Sequence, residues 1–211
     1  FHFKERLEGQ RFDAIAYGIQ KRTEELLTEW VDNGVQQTGI GNVVMSGGVA
    51  QNIKANKLIS ELGGVNQLFV PPGPGDESLA IGAAYVALIK NGKSIDDIPS
   101  ISNAYFGPSY KEKSVQSTIK NNVSKEWSVL KASNEDVAKL LKSGNVIARF
   151  GTDKMEFGAR SLGNRSIIAD PRISDVIHHI NKMVKMRDFW MPFAPSILEE
   201  REDDYMINPK K

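Results

Sequence analysis

The chain has 211 residues, 27 basic against 26 acidic side chains, a formal net charge of +1 and no cysteine. That balance gives no whole-chain pull toward nucleic acid or an anionic membrane, so any anion site must be local. Disulfides, thiolate nucleophiles and cysteine zinc sites are excluded, which is compatible with a reducing cytoplasm. Hydrophobic residues at 40% and charged residues at 25% are a soluble globular composition, long enough for one large or two small domains. No run of about 18 apolar residues predicts a membrane span.

The opening, FHFKERLEGQRFDAIAYGIQ, starts in a helical pattern without Met or a signal peptide. The end, EEREDDYMINPKK, follows closely on a strand-like run, and both ends read as those of a piece of a longer protein. Residues 11–33 predict an amphipathic helix, with Ile15, Ile19, Leu26, Leu27 and Trp30 at helical spacing. NVVMSGG is a short strand running into glycines, followed by a helix over 49–62 that stops at Gly63 and Gly64. NQLFVPPG is a second strand stopped by Pro71 and Pro72, and 77–90 form an apolar helix. This β-α-β-α order predicts an α/β layer architecture.

Turn formers without periodicity then place a linker near 91–105. Beyond it the pattern predicts helix over 111–122, strand over 127–131 and helix over 133–143 with Ser133 as N-cap. Strands follow over 145–150 and 166–170, then a helix over 174–185, a strand over 193–198 and a short helix over 199–206.

Three segments could carry chemistry. In MSGGVAQN, Ser46, Gly47 and Gly48 join a strand to a helix, and Asn52 lies in its first turns. Glycines there let backbone approach a ligand, and a helix start favours phosphate. A tight turn with nothing bound accounts for the same residues and is the simpler account on pattern alone. Asp76 in PPGPGDES is either a helix N-cap or a metal ligand at the mouth of a cleft, and the cap is the simpler reading. Third, MEFGARSLGNRSIIADPR puts Arg160, Arg165 and Arg172 within thirteen residues, and KMVKMRDFWMPFAPS adds Lys185 and Arg187. Arginine forks on a loop can converge on one anion, or they can form ordinary surface ion pairs. Phe189, Trp190 and Phe193 read as core rather than a stacking platform. His178 and His179 are adjacent on a helix, so their side chains diverge and do not chelate one metal together.

Taken together, MSGGVAQN, GPGDESLAIGAA, MEFGARSLGNRSIIADPR and KMRDFWMPFAPSIL resemble the carbamoyltransferases of the nodulation-protein and antibiotic-tailoring type, along nearly the whole chain. The resemblance implies the C-terminal part of an actin/sugar-kinase/Hsp70-like (Kae1-like) domain over 1–90, a linker over 91–104, and the first part of a YrdC-like α/β domain over 105–211. It implies that the YrdC-like domain makes carbamoyl adenylate from ATP and carbamoyl phosphate. The Kae1-like domain, with a bound divalent metal, iron, then transfers the carbamoyl group to a small-molecule or sugar hydroxyl. Mg is an ordinary companion of the ATP. Arg160, Arg165, Arg172, Lys185 and Arg187 match the family's nucleotide and carbamoyl-phosphate motifs, Ser46, Gly47, Gly48 and Asn52 its nucleotide loop, and Asp76 its aspartate metal ligand.

Two positions depart from the pattern: Ala159 stands where the family usually has Pro, and Met191 where Arg is common. The family's histidine ligands fall outside this chain, and Asp76 alone cannot hold a metal. The resemblance therefore implies an enzyme of which this piece is poorly active or inactive alone, in the cytoplasm, without nucleic-acid or membrane partners. A carbamoyl-dehydratase maturation factor shares both domain types but carries zinc-finger cysteines. A superfamily kinase or ATPase, or a non-catalytic nucleotide-binding module, accounts for SGGVAQN but not for the arginine motif.

Overall fold

The computed structural model describes residues 2–124, 126–151 and 153–207. Helices and short strands alternate in a mixed α/β chain that divides after Ser102 into two compact units.

The first unit contains α1 (His2–Leu7), α2 (Phe12–Thr38), β1 (Asn42–Val44), α3 (Ile53–Ser60), β2 (Gln67–Phe69) and α4 (Leu79–Lys90). On α2, Leu27, Val31 and Val35 share one face, at the spacing that aligns side chains on a helix. They pack with Met45, Ala50, Ile59 and Val65, while Leu68 and Val70 close the cluster from β2 and its end. β1 and β2 pair in parallel, with Val43 opposite Leu68, and α3 makes the crossover that parallel strands require. The long helix ends at Gly39, later than periodicity suggested, with the Gly39 N–H on the Val35 carbonyl at 2.8 Å. The helix expected over 49–62 begins instead as a 3₁₀ turn, Gly48–Gln51, because Asn52 interrupts it and caps α3.

The second unit contains α5 (Glu112–Asn122), α6 (Asn134–Lys142), β3 (Ile147–Phe150), β4 (Arg165–Ile168), α7 (Ser174–His179) and α8 (Glu202–Tyr205). Ser133 and Asp136 form a reciprocal capping box at the start of α6, with the Asp136 N–H on Ser133 Oγ at 3.2 Å and the Ser133 N–H on Asp136 Oδ2 at 2.9 Å. β3 and β4 pair antiparallel, with Arg149 opposite Ser166 and Phe150 opposite Arg165.

Two expected strands do not form. Residues 127–131 find no pairing partner, and Trp127, Val129 and Leu130 stay exposed; strand propensity without a neighbouring ladder leaves coil. Residues 193–198 hold Pro195 just after Pro192, and neither can donate to a ladder. The helix expected over 174–185 holds α-geometry only to His179 and widens into a π turn, Ile180–Val184.

The end of the expected linker is not a spacer. Ala104 is buried, and its carbonyl accepts the Phe157 N–H at 2.6 Å. Gly107 N–H donates to the Met155 carbonyl at 2.9 Å, and Met155 N–H to the Pro108 carbonyl at 3.0 Å. A Cβ on Gly107 would lie 2.8 Å from the Met155 Cβ, so only glycine permits this approach. Phe106 meets Phe157 edge-on, with ring centroids 5.9 Å apart.

Candidate functional site

In the first unit the two quoted motifs meet. Parallel strands β1 and β2 release their chains at the same end, the side on which parallel sheets place ligands. β1 leads into Ser46-Gly47-Gly48 and β2 into Pro71–Asp76. Gly47 N–H donates to the Pro74 carbonyl at 2.7 Å, and Ser46 Oγ to the same oxygen at 3.3 Å. Gly47 holds a left-handed φ of 99°, which turns the backbone sharply out of the strand. Nothing lies within 4 Å of a Cβ built on Gly48, so that backbone is open to an approaching group.

Asn52 is held firmly. Its Oδ1 accepts the Ala55 N–H and the Gln20 amide, each at 3.1 Å, and its Nδ2 donates to Gln20 Oε1 at 3.0 Å. Gln20 also donates to Glu24 Oε1 at 2.7 Å, and Lys54 Nζ lies 3.6 Å from the same oxygen. The Gln20 bond, aided by Lys54 and opposed by burial, holds the Glu24 carboxyl below its ordinary range.

Asp76 is exposed and opens a 3₁₀ turn, Asp76–Ser78, whose N-cap is Gly75; α4 takes Ser78 as its N-cap. Neither cap bonds through a side chain, so the capping role expected for Asp76 is not the one it has. Among the described residues no group of three or more His, Cys, Asp or Glu is placed to hold a metal. The described residues do not fit a complete metal centre.

In the second unit the connection between β3 and β4 carries the arginines. Glu156 is its anchor: its side chain is fully buried, and Oε1 accepts the N–H groups of Leu162 at 2.8 Å, Asn164 at 2.7 Å and Arg165 at 3.0 Å. Oε2 accepts Arg165 Nε at 2.9 Å, and Arg165 Nη2 donates to the Glu156 carbonyl at 2.7 Å. The remaining N–H, on Gly163, goes to Ser166 Oγ at 2.9 Å. Burial opposes charge on Glu156, but Arg165 and these N–H donors outweigh it and hold the carboxyl well below the usual carboxylate range. Several of the loop's carbonyl oxygens are also engaged. Tyr105 donates to Leu162 at 2.7 Å, Arg149 to Gly163 and to Asn164 Oδ1, and Asn164 Nδ2 to Lys154 at 2.8 Å.

Positive charge is therefore less concentrated than the arginine spacing suggested. Segment 153–172 holds Lys154, Arg160, Arg165 and Arg172 against Asp153, Glu156 and Asp170. Arg172 is forked onto Asp170, with Nε at 2.9 Å from Oδ1 and Nη2 at 2.5 Å from Oδ2. That fork, with the Arg172 N–H at 3.0 Å, lowers the Asp170 carboxyl to about 2. Arg187 donates from Nε to Asn181 Oδ1 at 2.6 Å and from Nη2 to the Pro192 carbonyl at 3.3 Å, and it lies 4.6 Å over the Phe193 ring. Asn181, fully buried in the π turn, also donates from Nδ2 to the carbonyls of Phe189 and Met191, each at 3.1 Å. Between Lys185 and Arg187, Met186 takes a left-handed φ of 48°, rare for a side chain of this kind. Arg160 and Lys185 are exposed and bond to no acceptor among the described residues.

Comparison with known proteins decides the lineage. Residues 2–85 match the carbamoyltransferase N-terminus family and residues 138–211 the carbamoyltransferase C-terminus family. The chain belongs to the carbamoyltransferase family. It is 33% identical over 205 residues to an uncharacterized protein of Methanocaldococcus jannaschii, covering 95% of this chain and 33% of that protein. It is 29% identical over 204 residues to nodulation protein NolO of Bradyrhizobium diazoefficiens, covering 95% of this chain and 36% of that protein. With nodulation protein U of Sinorhizobium fredii the identity is 32% over 184 residues, 86% of this chain and 31% of the relative. The chain thus spans about a third of the length of these relatives. Family membership gives no hint of the buried anchors Glu156 and Asn181, whose partners are largely backbone groups.

Proposed function

We propose that a polypeptide containing this chain is an O-carbamoyltransferase that makes carbamoyl adenylate and passes the carbamoyl group to a small-molecule or sugar hydroxyl. The balance is fixed by chemistry. Carbamoyl phosphate, ATP and one water give carbamoyl adenylate, pyrophosphate and phosphate. The acceptor oxygen then attacks the carbamoyl carbon, AMP leaves, and the hydroxyl proton is released. In this reading the first unit is Kae1-like and houses the transfer step, and the second is YrdC-like and houses adenylation. Both act in the cytoplasm.

The observation that carries the reading is the division of labour among the cations. Arg165, Arg172 and Arg187 are fixed by protein acceptors, while Arg160 and Lys185 stand exposed without one. Fixed cations around a developing phosphoryl charge lower the barrier to loss of pyrophosphate, because they need no reorganisation during the reaction. In the first unit, open backbone at Gly48 beside Ser46 suits a nucleotide phosphate. Asp76 would supply one ligand to a metal, iron in this reading, with the others coming from outside the described residues. This chain alone is then inactive in transfer.

Phosphorus NMR on ATP and carbamoyl phosphate, with this chain and with a polypeptide of its relatives' full length, tests the proposal. Pyrophosphate that forms only when carbamoyl phosphate is present is expected from the full-length protein. ADP in its place points to a kinase or ATPase, and no turnover by the full-length protein sinks the adenylate reading.

A further inference from the structure

Residues 162–165, at the end of the loop between β3 and β4, have no backbone donor left for a ligand. The N–H groups of Leu162, Gly163, Asn164 and Arg165 all turn inward, three of them onto one carboxylate oxygen of Glu156. An anion beside this stretch must therefore be held by side chains. Arg165 is part of that supply. Its Nε and Nη2 are committed to Glu156, but Nη1 has no acceptor among the described residues and the side chain is 40% exposed. A guanidinium gripped along one edge presents the other edge in a fixed plane.

We propose that Glu156 is a positioning residue: its buried carboxylate aims the outer edge of Arg165 at a phosphoryl oxygen and braces the loop from which Arg160 projects. The inference rests on the anion role assigned to this loop under the proposed function. Glu156 itself touches no ligand. It acts by removing the rotamer freedom of Arg165 before the ligand arrives, so that the ordering cost is met by the fold rather than by binding.

The test follows the Arg165 Nε–H and the loop amides by NMR while inorganic phosphate, and then carbamoyl phosphate, is added to the chain. Glu156→Gln, Glu156→Asp and Arg165→Lys are compared with the wild type. Gln keeps the size but turns an N–H₂ group toward Arg165 Nε or toward the loop amides. Arg165→Lys keeps the charge and leaves Glu156 its backbone donors, so it serves where a Glu156 variant fails to fold. The expected result is phosphate-dependent shifts at Arg165 and Arg160 in the wild type. Affinity should fall about tenfold in Glu156→Gln, be partly restored in Glu156→Asp, and fall comparably in Arg165→Lys, with the first unit's spectrum unchanged. Equal phosphate affinity in wild type and Glu156→Gln overturns the proposal, and so does an Arg165 signal that phosphate never moves. Pyrophosphate release by the full-length protein separates the two ideas. Release unaffected by Glu156→Gln defeats the positioning role alone. No release, with Glu156-dependent phosphate binding, defeats the carbamoyl-adenylate reading alone.

Discussion

Arg187 and Asn181 are bound twice over: Nε donates to the buried amide's Oδ1 at 2.6 Å, and the Arg187 N–H donates to the Asn181 carbonyl at 2.9 Å. One side chain thus ties a cation to the π turn while its Nδ2 gathers the Phe189 and Met191 carbonyls. Replacing Asn181 by Leu strands two carbonyls and a guanidinium donor. The expected loss is about 3 kcal/mol, read as a lower urea midpoint at unchanged slope.

Met186 should respond in the opposite sense. Its left-handed backbone suits glycine, and its side chain is exposed, so Met186→Gly is expected to stabilise the fold by up to about 1 kcal/mol. A thermal melt that falls instead would mean that the Met186 side chain contributes more than its backbone costs.

The glycine pair separates strain from access. Gly47→Ala forces a methyl group onto a φ of 99° and should cost about 1 kcal/mol. Gly48→Ala meets open space and should leave stability within about 0.5 kcal/mol. If backbone at Gly48 faces the nucleotide, calorimetry should show weaker ATP binding in that variant alone.

Acid should undo the Asp170–Arg172 fork in a defined window. The Asp170 carboxyl is lowered to about 2, so its stabilisation is complete above the ordinary carboxylate value of about 4 and is lost as pH falls toward 2. Glu156, also lowered, loses its contribution in the same direction. Asp170→Asn should melt below the wild type at pH 7, and the gap should close on acidification. A gap that does not change with pH would assign it to packing instead.

Arg160→Ala and Lys185→Ala should leave melting unchanged, since neither side chain bonds to protein among the described residues. Both should sharply reduce pyrophosphate release by the full-length protein. Unaltered release in both would remove these cations from the adenylation site.

Local rules read much of this chain correctly. The cap at Ser133 and the strands around NVV and QLF follow from neighbours within a few residues. Of the stripe expected on α2, only Leu27 packs in the core, while Ile19, Leu26 and Trp30 are exposed. The state of the arginines does not follow so locally. Asp170 lies two residues from Arg172, so that fork was open to inspection, and the acids at 153, 156 and 170 were there to be set against the arginines. Glu156 was harder, because three of its donors are backbone N–H groups, which every residue but proline carries. Asn181 is hidden for the same reason: two of its acceptors are main-chain carbonyls. Strand propensity misled at 127–131, where the missing partner is a property of the fold and not of the segment.

The close approach of Gly107 to Met155 also bears on how this protein can be cut. The C-terminal family match starts at residue 138, but a fragment begun there would lack Ala104 through Pro108. It would leave the N–H groups of Met155 and Phe157 without their acceptors and strip Phe106 and the Tyr105 hydroxyl from the back of the arginine loop. The second unit starts at Asn103, and limited proteolysis should stop there rather than at the family boundary.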